Sequence, residues 1–365
     1  MKRIKTSQLV PGHVLAEDVY NFNGQLILTK GLVLTDKIIT RLEFYSITSV
    51  RVEEEMQAVP SEEHEVDLST IKEDLHSEVI KNSPEYQQFK ASFDESISGF
   101  KNSINDIVSL NAPIDTDSLL NNTKELILHG KESSFGTMDM LHNMRQYDDL
   151  TFAHSMNVAL ICNVFAGWLK LSDEEKDLVT LCGLLHDLGK LKIPDTIIKK
   201  PDKLSDDEYQ IIKTHPIEGY QLLRAQNVDL NIANSALMHH EKCDGSGYPL
   251  NLTGDKINRF AKMVAIVDVY DAMTSARIYR GPMCPFRVIE LFESEGLQKY
   301  DAHYILTFLQ NVCNTYLHYS VQLSDGRVGK IIFINKNNLS KPLVQCGNEI
   351  VDLSVTTDIH IEKIL

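Results

Sequence analysis

His186 and Asp187 stand side by side in Leu184-Leu185-His186-Asp187-Leu188-Gly189-Lys190, an otherwise apolar stretch. A buried ionised carboxylate without a partner is costly, so the pair asks for something that binds it, and a metal ion answers both side chains at once. The same dipeptide also occurs on ordinary surfaces, and taken alone it leaves both readings open. Six further residues bear on the choice. His154, His215, His239, His240 and Asp268 recur on separate expected helices or at their ends, and Lys190 follows the pair by i+3 and i+4.

Each of these histidines alone reads as a satisfied structural residue. Together the seven imidazoles and carboxylates form a donor set without thiolate, which suits Fe or Mn and also permits Zn or Ni. Seven groups exceed what one ion needs. Two divalent ions bridged by a carboxylate and by water are the natural count, and such a pair activates a hydroxide while stabilising the attacking and leaving oxygens of a phosphoryl displacement. On one helical face with His186 and Asp187, Lys190 is placed to neutralise a nonbridging phosphate oxygen. Lys192, Lys199, Lys200 and Lys203 add positive charge nearby, with solvated lysines as the plain reading for the last three, and Arg277 and Arg280 follow later.

The second chemical stretch is His239-His240-Glu241-Lys242-Cys243-Asp244-Gly245-Ser246-Gly247-Tyr248-Pro249. Two glycines and a proline around a tyrosine specify a tight loop that holds an aromatic ring beside the imidazoles. Such a ring can stack on a nucleobase. The alternative is a turn whose tyrosine caps the core.

The elements that must position these groups are mainly helical. From Tyr147 to about Leu317 apolar residues recur at helical spacing, as in Val158, Ala159, Ile161, Val164, Phe165, Trp168 and Leu169. Ser172-Asp173-Glu174-Glu175 is a capping-box start for the helix leading to His186, and Ser205-Asp206-Asp207-Glu208 starts another. Upstream, residues 1–56 form a small β-rich module with strand candidates Val14-Leu15-Ala16, Gln25-Leu26-Ile27-Leu28 and Ser49-Val50-Arg51-Val52. Asn21-Phe22-Asn23-Gly24 is a hairpin turn between the first two, and Thr35 caps a helix through Ile38, Ile39, Leu42 and Phe44. His13, beside Pro11-Gly12, reads as a turn residue.

Residues 57–146 are an acidic linker followed by a helical spacer, broken at Pro84 and at Asn111-Ala112-Pro113. His76, His129 and His142 lie there without carboxylate company and read as surface or packing residues. Residues 147–318 are the helical catalytic domain, and 319–365 a short β extension with Val328–Ile334, Pro342–Val344 and Ile359–Ile361 as strands and a turn at Ser324-Asp325-Gly326.

The chain has 365 residues, 43% hydrophobic and 24% charged, which is ordinary for a soluble globular protein with more than one domain. A formal net charge of −15 argues against a surface that coats DNA or RNA. No apolar run approaches membrane-spanning length and no signal-like segment follows the N-terminus, so a cytoplasmic protein without membrane insertion is expected. The cysteines at 162, 182, 243, 284, 313 and 346 have no metal-type or redox-type spacing and are expected as free thiols in a reducing compartment.

From about Asp148 to Arg280 the residues resemble the HD-GYP family of cyclic-dinucleotide phosphodiesterases, a branch of the HD-domain metal phosphohydrolases. His186-Asp187-Leu188-Gly189-Lys190, His215-Pro216, His239-His240-Glu241, Asp244-Gly245-Ser246-Gly247-Tyr248-Pro249 and Asp268-Val269-Tyr270-Asp271-Ala272-Met273-Thr274 occur in the family's order. The resemblance implies that His154, His186, Asp187, His215, His239, His240 and Asp268 bind metal, with Asp187 bridging and catalytic together with Lys190. It implies substrate contacts from Lys190, Asp244, Gly247, Tyr248, Pro249, Arg277 and Arg280. Leu9-Val10-Pro11-Gly12-His13-Val14-Leu15 is similar to a small domain often fused ahead of this unit.

Family members with three metals carry a glutamate four residues before the first histidine, where this chain has Leu150. Leucine cannot ligate, so two ions are expected, with Asp148 and Asp149 as the groups that could hold a third. The implied reaction opens a cyclic dinucleotide, cyclic di-GMP or 3′,3′-cyclic GMP-AMP, to the linear dinucleotide, with further cutting to mononucleotides open. Arg277 and Arg280 can read the O6/N7 edge of guanine. A catalytically inactive cyclic-dinucleotide sensor is the alternative, and an HD hydrolase of nucleoside triphosphates or alarmones a third reading. The long helices before Tyr147 allow a homodimer.

Overall fold

The computed structural model describes residues 2–20, 26–35, 38–39, 42, 47, 49–53, 76–110, 112–133, 135–144, 150–198, 200, 204–275, 282–356 and 358–365. Two compact units divide the chain. The first takes in Met1–Glu65 and Asp195–Gln210, and the second Val66–Pro194, Ile211–Arg277 and Gly281–Leu365.

In the first unit, β1 (Lys2–Lys5), β2 (Val19–Tyr20), β3 (Leu26–Leu28) and β4 (Ser49–Val52) pair antiparallel as β1 with β4 and β2 with β3. Leu9, Leu15, Val19, Leu28, Leu34, Leu42, Ile47, Val50 and Val52 form its core. The expected strand at Val14–Ala16 is instead a pair of isolated bridges, Val14 to Val33 and Leu15 to Val52. The Leu15 N–H goes to Leu32 and the Ala16 N–H to Arg51, so the segment changes partner within one residue and no ladder can extend. Ile38, Ile39 and Leu42 are helical, and the Ile38 N–H donates to Thr35 Oγ1 at 3.4 Å. The turn at 21–24 and Phe44 lie outside the described residues. His13 is a turn residue, its Nδ1 lying 3.1 Å from the Val10 nitrogen.

The second unit begins with α1 (His76–Lys81), α2 (Pro84–Leu110), α3 (Thr116–Glu132) and α4 (Gly136–Asn143). Pro84 opens α2, where a missing N–H costs nothing, and the Tyr86 N–H donates to Ser83 Oγ at 3.1 Å. His76 and His142 pack as aromatic rings, against Tyr319 and Tyr316.

Two helices form the centre of the unit. Helix α5 (Leu150–Trp168) is apolar around almost its whole circumference and is buried from Ala153 to Met156 and from Val158 to Cys162. Against it packs α6 (Asp173–Leu185), opened by a capping box in which Ser172 and Glu175 each accept the other's backbone N–H. After α7 (Asp195–Ile198) and α8 (Asp206–Ile212), which fall in the first unit up to Gln210, the second unit continues with α9 (His215–Ala225), α10 (Leu230–Met238) and α11 (Arg259–Thr274). Asp229 caps α10 and Asn258 caps α11, each accepting backbone N–H groups of the first turn. Like α5, α11 is buried along most of its length, and it packs against α5, α6 and α10.

The chain closes with α12 (Pro285–Leu291), α13 (Leu297–Lys299), α14 (Ala302–Thr315) and a five-stranded antiparallel sheet. The strands β5 (Ser320–Leu323), β6 (Val328–Phe333), β7 (Leu343–Cys346), β8 (Glu349–Asp352) and β9 (Ile361–Ile364) lie in the order β8-β7-β6-β5-β9. Ile331, Val344 and Val351 sit in one register across three strands and are all buried, which fixes which face turns inward. The architecture is mainly helical with small β elements at both ends. Among the described residues no helix is long and apolar enough to cross a membrane, and all six cysteines are free.

Candidate metal centre

All seven expected ligands converge. Asp187, His215, His239 and His240 offer one donor atom each within 4.8 Å of one another, and His154, His186 and Asp268 do the same. Five helical segments deliver them: α5 brings His154, the end of α6 brings His186 and Asp187, the first residue of α9 is His215, the end of α10 brings His239 and His240, and the middle of α11 brings Asp268.

Asp187 joins the two groups. Its Oδ2 lies 3.4 Å from His186 Nε2 and 3.8 Å from His154 Nε2, whereas its Oδ1 lies 3.3 Å from His215 Nε2 and 3.7 Å from His239 Nε2. Asp268 also reaches both ways, Oδ1 at 3.0 Å from His154 Nε2 and Oδ2 at 4.0 Å from His240 Nδ1.

The backbone fixes which nitrogen each ring presents. The Nδ1–H of His186 donates to the Gly183 carbonyl at 2.7 Å, that of His215 to Ile212 at 2.7 Å, and that of His239 to Ala236 at 2.9 Å. A carbonyl only accepts, so in all three rings Nδ1 holds the proton and Nε2 turns an unshared pair toward the cluster. For His154 the acceptor is Asp271 Oδ2 at 2.7 Å, and the same carboxylate accepts from Asn157 Nδ2 at 3.1 Å and Ser275 Oγ at 3.0 Å.

Electrostatics keep these donors in ligating form. Burial, reinforced by His186 and His215, pushes the His239 imidazole down to about 3, and burial with His239 beside it takes His240 well below its ordinary value. Burial opposes the charge on Asp187, yet Lys190 and His186 hold its carboxyl well below the usual range. Asp268 is held down likewise against burial, by its hydrogen bond with His154 and by the His186 and His240 rings beside it. His186 Nε2 and Asp187 Oδ1 are buried and have no hydrogen-bond partner within the protein. Nε2 atoms left free by the carbonyl bonds, two ionised carboxylates and the orphaned His186 Nε2 and Asp187 Oδ1 fit divalent cations.

Lys190 touches Asp187 as expected, by a different route. Helix α6 ends at Leu185, and Leu188–Lys192 is a 3-10 turn in which the Lys190 N–H bonds the Asp187 carbonyl at 2.9 Å. The tighter winding still carries Lys190 Nζ onto Asp187 Oδ2. Gly189 allows it, since a Cβ there would lie 1.9 Å from the His215 carbonyl oxygen. Lys192 is exposed and Lys200 pairs with Glu208 at 2.7 Å, while Lys199 and Lys203 lie outside the described residues.

The loop after His240 is held from below. Buried Glu241 accepts the N–H groups of Leu250 at 2.6 Å and Leu252 at 2.9 Å, and a Cβ on Gly247 would lie 2.4 Å from the Glu241 Cα. Asp244 accepts the Ser246 N–H at 2.9 Å, and the Tyr248-Pro249 peptide is cis. The Tyr248 ring stacks on His240, centroids 4.6 Å apart and planes 22° from parallel, with Lys213 Nζ 4.7 Å from its centroid. One face of the phenol is therefore covered by an imidazole of the cluster. The ring packs on His240, beside the cluster where the sequence places an aromatic side chain. Arg277, Arg280, Asp148 and Asp149 lie outside the described residues.

Asp271, Glu241 and Lys213 carried no role in the sequence reading. Asp271 follows Asp268 by i+3 and so shares its helical face, which was the available signal. Glu241 and Lys213 gave none, because their partners are fixed by the course of the loop.

Histidines and aspartates gathered from several helices into one buried cluster define a mainly helical protein with side chains able to hold metal. Residues 125–304, just under half of the chain, match the family described as HD domain. A cyclic di-GMP phosphodiesterase of Pseudomonas aeruginosa is 34% identical over 207 residues, covering 56% of this chain and 50% of the relative. A 3′3′-cGAMP-specific phosphodiesterase of Vibrio cholerae is 39% identical over 145 residues, 40% of this chain and 34% of the relative. The chain thus spans half or less of the length of these relatives. Among solved structures, an HDG"Y"P protein of Bdellovibrio bacteriovorus shares the fold, with a TM-score of 0.52 at 17% identity over 84% of this chain and 97% of that one.

Proposed function

We propose that this protein is a metal-dependent phosphodiesterase that hydrolyses a cyclic dinucleotide second messenger, cyclic di-GMP or 3′,3′-cyclic GMP-AMP, to the linear dinucleotide. The observation that carries the reading is the division of the Asp187 carboxylate, one oxygen toward His154 and His186 and the other toward His215 and His239. It supports two divalent ions per chain, Fe or Mn foremost, held by His154, His186 and Asp268 on one side and His215, His239 and His240 on the other, with Asp187 shared. Ions in that place would activate water and screen the charge of a phosphodiester.

The chain's own residues do the rest. The three Nδ1–H to carbonyl bonds and Asp271 keep the imidazoles oriented without reorganisation during turnover. Lys190, about a quarter exposed beside buried Asp187, sets a positive charge where a phosphate oxygen would approach. Tyr248 fixes His240, and Lys213 over the same ring adds a second cation at that edge. Arg277 and Arg280 are assigned to substrate phosphate and guanine. A cytoplasmic setting agrees with the free cysteines.

The test is product analysis of the full chain, loaded with Fe or Mn, against cyclic di-GMP, cyclic GMP-AMP and ppGpp, with elemental analysis alongside. Linear dinucleotide from at least one cyclic substrate, with two ions per chain, is the expected result. Turnover of ppGpp alone would move the protein to another class of hydrolase. Binding of a cyclic dinucleotide without turnover in loaded protein would make it a sensor.

A further inference from the structure

Two ammonium groups stand at the metal centre, and they stand in different places. Lys190 Nζ reaches Asp187 Oδ2, the oxygen turned toward His154 and His186. Lys213 belongs to the other half. It lies in the two-residue turn between α8 and α9, beside Thr214 and just ahead of His215. The Thr214 N–H bonds the Ile211 carbonyl at 3.0 Å and the His215 Nδ1–H the Ile212 carbonyl at 2.7 Å. The turn that delivers the His215 imidazole therefore also fixes the backbone from which Lys213 projects.

The Lys213 ammonium lies 4.7 Å from the centre of the Tyr248 ring, and that ring lies 4.6 Å from the centre of the His240 ring. His240 in turn groups with Asp187, His215 and His239. The half-buried lysine is thus held at the rim of that half, over an aromatic ring that favours a cation, whereas Lys190 serves the shared carboxylate. One phosphate at the centre needs one such cation. A second fixed positive charge near the Asp187 and Asp268 carboxylates, in a chain of formal charge −15, suits a substrate with a second anionic group. A cyclic dinucleotide is such a molecule, because its macrocycle carries two phosphodiesters on opposite sides.

We propose that Lys213 binds the phosphate of the cyclic dinucleotide that is not being cleaved, while Lys190 faces the scissile one. The assignment rests on the reading of the ligand as a cyclic dinucleotide and deepens it, since Lys213 becomes the residue that distinguishes a two-phosphate ring from a simple phosphodiester. A contact to a group remote from the reacting phosphorus is made equally in the ground and transition states, so it sets KM and leaves the chemical step alone. A lysine that only braced Tyr248 against His240 would instead act on the ion site, through kcat and metal content, whatever the substrate.

The test is steady-state kinetics of the full chain loaded with Mn, comparing wild type, Lys213→Ala and Lys213→Arg. The substrates are cyclic di-GMP, cyclic GMP-AMP and bis(p-nitrophenyl) phosphate, which has a single phosphate. Elemental analysis and thermal melting accompany each variant. In Lys213→Ala the KM for the cyclic substrate that wild type cleaves should rise on the order of tenfold, with kcat and metal content near wild type. The KM for bis(p-nitrophenyl) phosphate should move far less, and Lys213→Arg should recover most of the loss. An unchanged KM for the cyclic dinucleotide overturns the proposal, and so does an equal effect on both kinds of substrate or a loss of metal. The phosphodiesterase reading has its own outcome. Loaded wild type that binds cyclic di-GMP by calorimetry without cleaving it sinks that reading, and binding weakened about tenfold in Lys213→Ala would still uphold the Lys213 contact. Neither binding nor cleavage of either cyclic dinucleotide overturns both.

Discussion

Asp271→Asn tests whether the histidines are held ready by their outer partners. In the wild type the Asp271 carboxylate faces donors only: the Nδ1–H of His154 at 2.7 Å, Asn157 Nδ2 at 3.1 Å and Ser275 Oγ at 3.0 Å. An asparagine keeps the shape and replaces one oxygen with an NH2, so one of these donors must face another donor. The bond to His154 is the charge-assisted one, worth about 1.5–3 kcal/mol. Loss of an outer partner of this kind typically weakens metal binding by about 10–100-fold, which is the same energy range. The effect should be confined to one half of the centre, because His154 belongs with His186 and Asp268 and not with the group around His215.

A competition titration of metal-free Asp271→Asn against a chromophoric chelator should therefore show two steps, the tighter one unchanged and the other weakened within that range. Near-wild-type melting would exclude a folding defect. An isotherm that superimposes on wild type, or equal weakening of both steps, would refute the tautomer argument.

Further expectations follow from other contacts. Asp187→Ala should abolish turnover and bring metal content down at both groups, whereas Lys190→Ala should slow turnover with metal retained; equal metal loss in the two variants contradicts the assigned roles. Gly189→Ala should destabilise the chain by about 2 kcal/mol or more, because its Cβ would meet the His215 backbone, and urea unfolding unchanged from wild type would show that the turn can move aside. Burial raises the Asp139 carboxyl to about 6, against the lowering effect of the Tyr319 hydrogen bond. The folded state therefore holds a proton that the unfolded chain releases near the ordinary value of 3.8, and the associated stabilisation is present below that pH and lost as pH rises through about 6. Asp139→Asn should accordingly gain stability relative to wild type between pH 4 and pH 8 in urea titrations, and parallel curves across that interval would remove the carboxyl from the account.

Of the candidate ligands, His186, Asp187 and Asp268 were legible as polar residues set into apolar helical runs, where a titratable group needs a partner, and the full set followed from the motif order. His186 beside Leu184 and Leu185 is the plainest case, and the capping signals at Ser172 and Ser205 placed two helix starts correctly. Pairings settled at long range were less legible. Lys2–Lys5 was not among the strand candidates and pairs with Ser49–Val52, and the partner of His154 lies 117 residues away at Asp271. The turn after Asp187 was misjudged for a related reason. Nothing in Leu188-Gly189-Lys190 says that the backbone must close onto His215, and that contact is what tightens an expected α-helical turn into a 3-10 one. Glycines 189 and 247 mark such contacts, but the sequence does not name the surface they meet.

His240, the glutamate that anchors the loop and the tyrosine that leans on the imidazole all fall between residues 240 and 248. The candidate ligand and its brace thus travel as one contiguous cassette, whereas every other imidazole of the cluster depends on its own separate helix. Grafting or exchanging that cassette between proteins of this architecture would alter one corner of the centre as a unit. Natural variation in the tyrosine should accordingly be read first as a change in how a histidine is aimed.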